Sequence, residues 1–131
     1  MSRSYKMDKM KVLIVDDDEI IAGLAKIILD NMFDNEYIFK IKTAANGEEG
    51  YKLSLDFKPD LVLTDIQMPG KNGIEMVRAI RQHSPEIKTI YMSGEWSKFQ
   101  TPLQEEHTMH QAYFLKKPFA ISELKQLLCE A

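Results

Sequence analysis

The sequence predicts a single α/β domain in which helices cover both faces of a parallel β-sheet. Short apolar runs alternate with longer segments of helical period, and no Pro/Ser-rich linker or internal repeat interrupts this alternation. Each apolar run has the length and composition of a strand that is buried on both sides. A chain of 131 residues is also of the size that forms one domain with its own core.

Five strands are expected from the apolar runs. In chain order they are Val12–Val15, Tyr37–Ile41, Leu61–Thr64, Thr89–Met92 and Ala112–Leu115. Four helices are predicted from apolar residues at three-to-four spacing, over Asp18 to Phe33, Asn46 to Leu55, Gly73 to Ile80 and Ile121 to Leu128. Asp18 and Ser122 are candidate N-caps of the first and last helix. Between Gly94 and Gln111 the period is weak, and Pro102 indicates a short helix that starts there.

Composition narrows the functional class. The net charge of −3 and the pI of about 5.6 argue against direct nucleic-acid binding, which needs a basic surface. No apolar run approaches the roughly 20 residues that span a bilayer, and the single cysteine, Cys129, excludes an intramolecular disulfide. We therefore expect a cytoplasmic protein without membrane insertion, with a flexible leader over residues 1–10 and the domain over residues 11–131.

Five polar residues stand at the carboxyl ends of predicted strands. Asp16 and Asp17 follow the first strand, Asp65 the third, Ser93 the fourth and Lys117 the fifth. In a doubly wound sheet these ends share one edge, where ligands bind. We therefore expect the five side chains to converge on one crevice.

The chemistry of these residue types indicates phosphoryl transfer. Neighbouring carboxylates repel one another unless a cation neutralises them, and an all-oxygen ligand set selects a hard ion such as Mg²⁺. Mg²⁺ leaves room for phosphate oxygens, and a carboxylate can attack phosphorus while a lysine and a hydroxyl stabilise the transferring group. Singly, each residue is also compatible with a solvated helix start or turn. Their coincidence at four strand ends favours the site.

The strings VLIVDDDE, DLVLTDIQMPGKNG, YMSG and FLKKPF, in this order, resemble the response-regulator receiver family. The resemblance spans nearly all of residues 11–130 and implies a flavodoxin-like sheet of five parallel strands in the order 2-1-3-4-5. It also implies a phosphoacceptor signalling domain and not a turnover enzyme. Similar strings occur in receivers of hybrid sensor kinases, so a stand-alone protein and a piece of a larger regulator both remain open.

Matched by motif position, the resemblance assigns a role to each candidate residue. Asp65 would be phosphorylated, Asp17 would bind Mg²⁺ directly, Asp16 would bind it largely through water, and the main-chain carbonyl of Gln67 would complete the metal ligands. Ser93 and Lys117 would bind the phosphoryl oxygens. Lys117, and not Lys116, matches because it immediately precedes Pro118, and the bond between them is expected to be cis as in the family.

The resemblance also implies a switch. Ser93 and Phe114 would move together on phosphorylation and remodel the face formed by the fourth helix, fifth strand and fifth helix. Gln67 and Glu95 would tune a slow self-dephosphorylation. The phosphoryl donor would be a sensor histidine kinase or a histidine phosphotransfer protein, and the output would pass to an unknown downstream partner or a missing output domain.

Two rival functions are weighed against this one. A pseudo-receiver would only bind proteins, and the intact acidic cluster with Ser93 and Lys117 argues against it. An aspartate-nucleophile phosphatase needs an acid two residues after the nucleophile, and Gln67 cannot donate that proton.

Overall fold

The computed structural model describes residues 9–30, 38–68, 70, 72–95 and 100–130. Within these residues five strands form one parallel sheet: β1 (Lys9–Val15), β2 (Ile38–Ala44), β3 (Leu61–Asp65), β4 (Lys88–Ser93) and β5 (Ala112–Lys116). Their order is β2-β1-β3-β4-β5, with every neighbouring pair parallel. The predicted fold class and strand order are thus confirmed. The strand β1 begins at Lys9, and residues 1–8 of the expected leader lie outside the described part of the chain.

Five helices are described: α1 (Glu19–Asp30), α2 (Gly47–Phe57), α3 (Gly73–Arg81), α4 (Gln100–Met109) and α5 (Ile121–Glu130). Two details of the prediction were wrong. The fourth helix starts at Gln100 and not at Pro102, which occupies its first turn, where a missing N–H costs no intrahelical hydrogen bond. Ser122 lies inside α5 and does not cap it; the side chain of Glu123 accepts a hydrogen bond from the Ala120 N–H instead (2.8 Å).

The sheet has one apolar cluster on each face, which explains why its central strands β1, β3 and β4 are mostly apolar. One cluster joins α2, α3 and α4 to the sheet and includes Leu13, Phe57 and Val77. The other joins α1 and α5 to the opposite face and includes Ile14 and Leu124. Because helices cover both faces, ligands reach the sheet at the carboxyl ends of its strands.

The loops at the carboxyl edge are held by helix caps. The Asp18 carboxylate accepts the Ile20 N–H at 2.9 Å, as its predicted N-cap role requires. Asn46 caps α2, and Asn72 forms a capping box with Glu75 at the start of α3. These caps fix the turns that follow β1, β2 and β3, and therefore fix the direction in which the adjacent polar side chains point.

Replacing Gly50 by alanine should destabilise the domain by about 1–3 kcal/mol, because α2 packs too closely on the sheet to admit a methyl group. An added Cβ would lie 2.7 Å from Met76 Sδ and 2.9 Å from Val15 Cγ2. Gly23→Ala in α1 is the matched control, since no atom of the described residues lies within 4 Å of its added Cβ. Urea denaturation should show the control to be stabilised by up to about 1 kcal/mol; equal losses in both variants would contradict the packing argument.

Candidate functional site

Three carboxylates meet at the carboxyl edge of the sheet. Asp16 and Asp17 lie in the turn that follows β1, and Asp65 is the last residue of β3. Each offers an oxygen, and these oxygens lie within 4.8 Å of one another. Asp16 and Asp65 are buried, whereas Asp17 is exposed. We refer to Asp16, Asp17 and Asp65 as the acidic cluster.

Lys117, the residue after β5, pairs with the acidic cluster. Its Nζ donates to Asp16 Oδ2 at 2.9 Å and lies 3.4 Å from Asp65 Oδ2. The Asp16 side chain is 0% exposed and the Lys117 side chain 21%, so this ion pair is largely removed from water. The peptide bond between Lys117 and Pro118 is cis, as expected. Lys116, the neighbouring residue of β5, is exposed.

The protonation equilibria follow from burial and charge. Burial is the largest influence on the pKa of Asp65 and raises it; Lys117 opposes the rise, while the charges of Asp16 and Asp17 add to it. Burial lowers the pKa of the Lys117 amine, but its contacts with Asp16 and Asp65 outweigh this effect and the pKa is raised overall. The site therefore keeps its lysine charged and holds excess negative charge around Asp65.

The acidic cluster fits a hard divalent cation. Three carboxylates face one ammonium, so one cation on the protein cannot neutralise the group, and the ligand atoms are all oxygen. Asp17 is the exposed member, which leaves an approach from solvent. These features match Mg²⁺, which binds through one or two carboxylates and retains water or phosphate oxygens.

Ser93 is the last residue of β4, and Glu95 lies in the loop that follows it. Met92 pairs with Asp65 in the sheet, so Ser93 is the next residue along the neighbouring strand, and its carbonyl accepts the Lys117 N–H at 2.9 Å. The Ser93 hydroxyl is buried and accepts the Glu95 N–H at 2.9 Å. The side chains of Gln67 and Glu95 are exposed. The structure thus gathers Ser93 at the crevice with the acidic cluster and Lys117.

Phe114 lies farther down β5, away from the acidic cluster. Its half-buried ring stacks on Tyr91 of β4, with centroids 6.5 Å apart, and packs against His107 of α4 at 5.7 Å. This position links β4 and β5 to α4. Tyr91 and Ser93 are two residues apart on one strand and therefore point to the same side of the sheet. The position of Phe114 beside Tyr91 is thus compatible with the predicted switch.

Gly73 is a site-supporting residue that the sequence reasoning missed. Its N–H donates to the Ile66 carbonyl at 2.8 Å, and a Cβ at this position would overlap the Asp65 carbonyl oxygen. The first turn of α3 therefore lies directly against the end of β3. A glycine after a turn is a common helix-start signal, and only the three-dimensional contact reveals why a side chain is excluded here.

A second missed feature is a buried ionic cluster at the hydroxyl end of Tyr91. Glu106 of α4 is 2% exposed and contacts Arg81 of α3 and the Tyr91 hydroxyl. Nothing in the sequence pattern indicated this ionic cluster, because the helical period of residues 94–111 is weak. A buried glutamate cannot be told from a surface residue by its place in a sequence pattern.

Comparisons with known proteins agree with this geometry. The family model for the response regulator receiver domain matches residues 12–129. The probable C4-dicarboxylate response regulator DctR of Bacillus subtilis is 31% identical over 118 residues, which cover 90% of this chain and 50% of that protein. The response regulator GacA of Pseudomonas aeruginosa is 31% identical over 121 residues, or 91% of this chain and 53% of GacA. The chain spans about half the length of these relatives.

Solved structures give the same result. The chemotaxis protein CheY4 of Vibrio cholerae aligns with a TM-score of 0.79 at 27% identity, covering 93% of this chain and 98% of that one. A CheY-like receiver domain protein of Methanospirillum hungatei aligns with a TM-score of 0.79 at 26% identity, covering 94% and 93%. Within the described residues, every helix is too short or too polar to cross a bilayer. From its sequence motifs, its sheet order and these matches, the chain belongs to the response regulator receiver domain family of two-component signalling.

Proposed function

We propose that this receiver domain accepts a phosphoryl group on Asp65 from a phosphohistidine of a sensor histidine kinase or a histidine phosphotransfer protein. The observation that carries the proposal is the meeting of three carboxylate oxygens within 4.8 Å, with the Lys117 ammonium 3.4 Å from Asp65. This arrangement supplies a nucleophile, a place for a cation and a fixed positive charge. The expected cytoplasmic location is part of the same proposal.

The acidic cluster and the main-chain carbonyl of Gln67 would hold Mg²⁺, which neutralises charge on the phosphoryl oxygens when bound. Asp65 attacks phosphorus through a carboxylate oxygen. The bond between phosphorus and the donor imidazole nitrogen breaks, and its electron pair stays on that nitrogen. Lys117 and the Ser93 hydroxyl stabilise the transferring oxygens, and the resulting product is an acyl phosphate.

The same site supports slow loss of the phosphoryl group. Water attacks phosphorus, the bond to the Asp65 oxygen breaks, and inorganic phosphate leaves. Gln67 and Glu95 would set the rate, since both side chains are exposed next to Asp65 and Ser93. Such hydrolysis resets a signal and does not make the chain a turnover enzyme. Phosphorylation would draw Ser93 and Phe114 into a second arrangement, and the surface of α4, β5 and α5 would then be presented to an output partner.

Incubation with acetyl phosphate and Mg²⁺ tests the proposal, with intact mass as the readout. Wild-type protein should gain the mass of one phosphoryl group, and Asp65→Ala should gain none. Asp60→Ala is a suitable control, because Asp60 is an exposed aspartate that bonds the Lys11 N–H at the opposite end of β1. Absence of any adduct on wild-type protein would favour a pseudo-receiver. Rapid multiple turnover on phosphomonoesters would favour a phosphatase.

Asp17→Asn should weaken Mg²⁺ binding on the order of tenfold or more, because a carboxylate ligand becomes a neutral amide. Isothermal titration with MgCl₂ measures the effect. Asp18→Asn is the matched control, since Asp18 is exposed and uses its carboxylate to cap α1, which an asparagine does equally well. Equal weakening by both substitutions would contradict the assignment of Asp17.

A further inference from the structure

The helix α4 is attached to the rest of the domain in an unusual way. Of its described residues, those that are buried are Leu103 and Glu106. By contrast, α3 buries Ile74, Met76, Val77 and Ile80. One of the two residues that pack α4 against the rest of the domain is therefore charged. The position of α4 depends on the side chains that pair with this charge.

Glu106 is paired from two directions. Arg81 Nη2 donates to its Oε1 at 2.6 Å, and the Tyr91 hydroxyl donates to the same oxygen at 2.7 Å. Arg78 Nε and Arg81 Nη1 each lie 3.3 Å from Oε2. Burial by itself raises the pKa of Glu106, but the hydrogen bonds from Arg81 and Tyr91 outweigh burial and hold the pKa below its usual value. Glu106 is thus an ionised group that ties α4 to α3 and β4.

The ionic attachment of α4 differs physically from apolar packing. A buried ion pair gains little net stability, because both ions lose hydration when they meet. If α4 moves outward, Glu106 and Arg81 regain water, which offsets part of the lost attraction. Removal of one partner without movement leaves the other charge buried and unpaired, which is costly. An outward position of α4 with both ions hydrated therefore costs less free energy than the loss of an apolar contact of the same size would.

The cluster also contacts the predicted switch. Tyr91 is fully buried, and its ring stacks on Phe114. Its hydroxyl donates to Glu106, so a movement of Phe114 that shifts the Tyr91 ring also disturbs the hydrogen bond that holds α4. The ring of His107, the next residue of α4, also packs against Phe114, with centroids 5.7 Å apart.

We propose that Glu106, Arg81 and Tyr91 form a latch that holds α4 closed and opposes the switch of Phe114, so that the latch sets how readily the phosphoryl group opens the α4 face. The proposal rests on the proposed function, since it assumes that a phosphoryl group on Asp65 drives the switch. It assigns regulation to residues outside the phosphorylation site.

Glu106→Gln tests the latch, and Glu105→Gln is its control. Glu105 is the preceding residue on α4, 59% exposed, with one ion pair to Arg78 at 3.3 Å. Without any phosphoryl analogue, amide hydrogen exchange over residues 100–109 should be about tenfold faster in Glu106→Gln than in wild type, as befits loss of charged hydrogen bonds. Exchange in Glu105→Gln should be unchanged. Equal acceleration across α2 and α3 in Glu106→Gln would show general destabilisation and overturn the latch.

Binding of beryllofluoride with Mg²⁺ tests the coupling to the switch. A weaker latch lowers the free energy needed to reach the open state. Glu106→Gln should therefore bind this phosphoryl analogue several-fold more tightly than wild type. Tyr91→Phe keeps the ring on Phe114 and removes the hydroxyl, and it should give a smaller shift in the same direction even if Glu106→Gln folds poorly. Unchanged affinity in both variants overturns the latch while the proposed function stands. Failure of wild-type protein to bind the analogue overturns the proposed function itself.

Discussion

Lys117→Ala should lower the rate of phosphorylation by acetyl phosphate by about 100-fold or more, because it removes the fixed positive charge from the transferring oxygens. The same substitution should destabilise the metal-free protein by about 3 kcal/mol, since Asp16, with a side chain that is 0% exposed, loses its ion-pair partner. Urea denaturation in EDTA measures the second effect, and intact mass against time measures the first.

Magnesium separates the two roles of Lys117. Saturating Mg²⁺ binds only the folded site and should restore much of the lost stability, because it neutralises the acidic cluster. It should not restore the rate, since the cation cannot occupy the position of the ammonium. Lys116→Ala should change neither quantity, because Lys116 is exposed. A phosphorylation rate of Lys117→Ala equal to that of wild type at saturating Mg²⁺ would refute the role given to Lys117.

Gly73→Ala should slow phosphorylation by at least about tenfold and cost about 1–3 kcal/mol of stability. An alanine Cβ would overlap the Asp65 carbonyl oxygen, so α3 or the end of β3 has to shift. Either movement displaces the Asp65 carboxylate from those of Asp16 and Asp17 and from Lys117. The rate is measured with acetyl phosphate and the stability by urea denaturation.

Gly94→Ala provides the comparison for Gly73. Gly94 follows Ser93 at the same edge of the sheet, but among the described residues an added Cβ would meet only the Lys117 carbonyl oxygen, at an ordinary 3.8 Å. This variant should phosphorylate within about twofold of wild type and remain within about 0.5 kcal/mol of its stability. If both variants behave alike, backbone proximity at Gly73 does not position Asp65.

The fold and the main site residues could be predicted because they depend on local signals. Apolar runs such as Leu61–Thr64 indicate buried strands. The sheet topology then brings Asp65 to the same edge of the sheet as Asp16 and Lys117. The prediction was wrong or missing where the local sequence pattern does not determine the structure. The start of α4 was wrong because a proline is tolerated anywhere in a first turn.

The buried glutamate explains why α4 was the least readable part of the sequence. Periodicity counts apolar residues, and Glu106 occupies a position that an apolar residue fills in an ordinary amphipathic helix. Its partners Arg81 and Tyr91 are 25 and 15 residues away along the chain, so no local window contains the three together. Such a cluster becomes visible only when the strands and helices are placed.

The acidic cluster and its lysine are joined across 101 residues of chain. During synthesis, Asp16 and Asp65 leave the ribosome long before the strand that precedes Lys117 can add to the edge of the sheet beside β4. A chain made only as far as β4 would therefore carry these carboxylates without the ammonium that pairs with Asp16. The ion pair is thus completed only when β5 takes its place in the sheet.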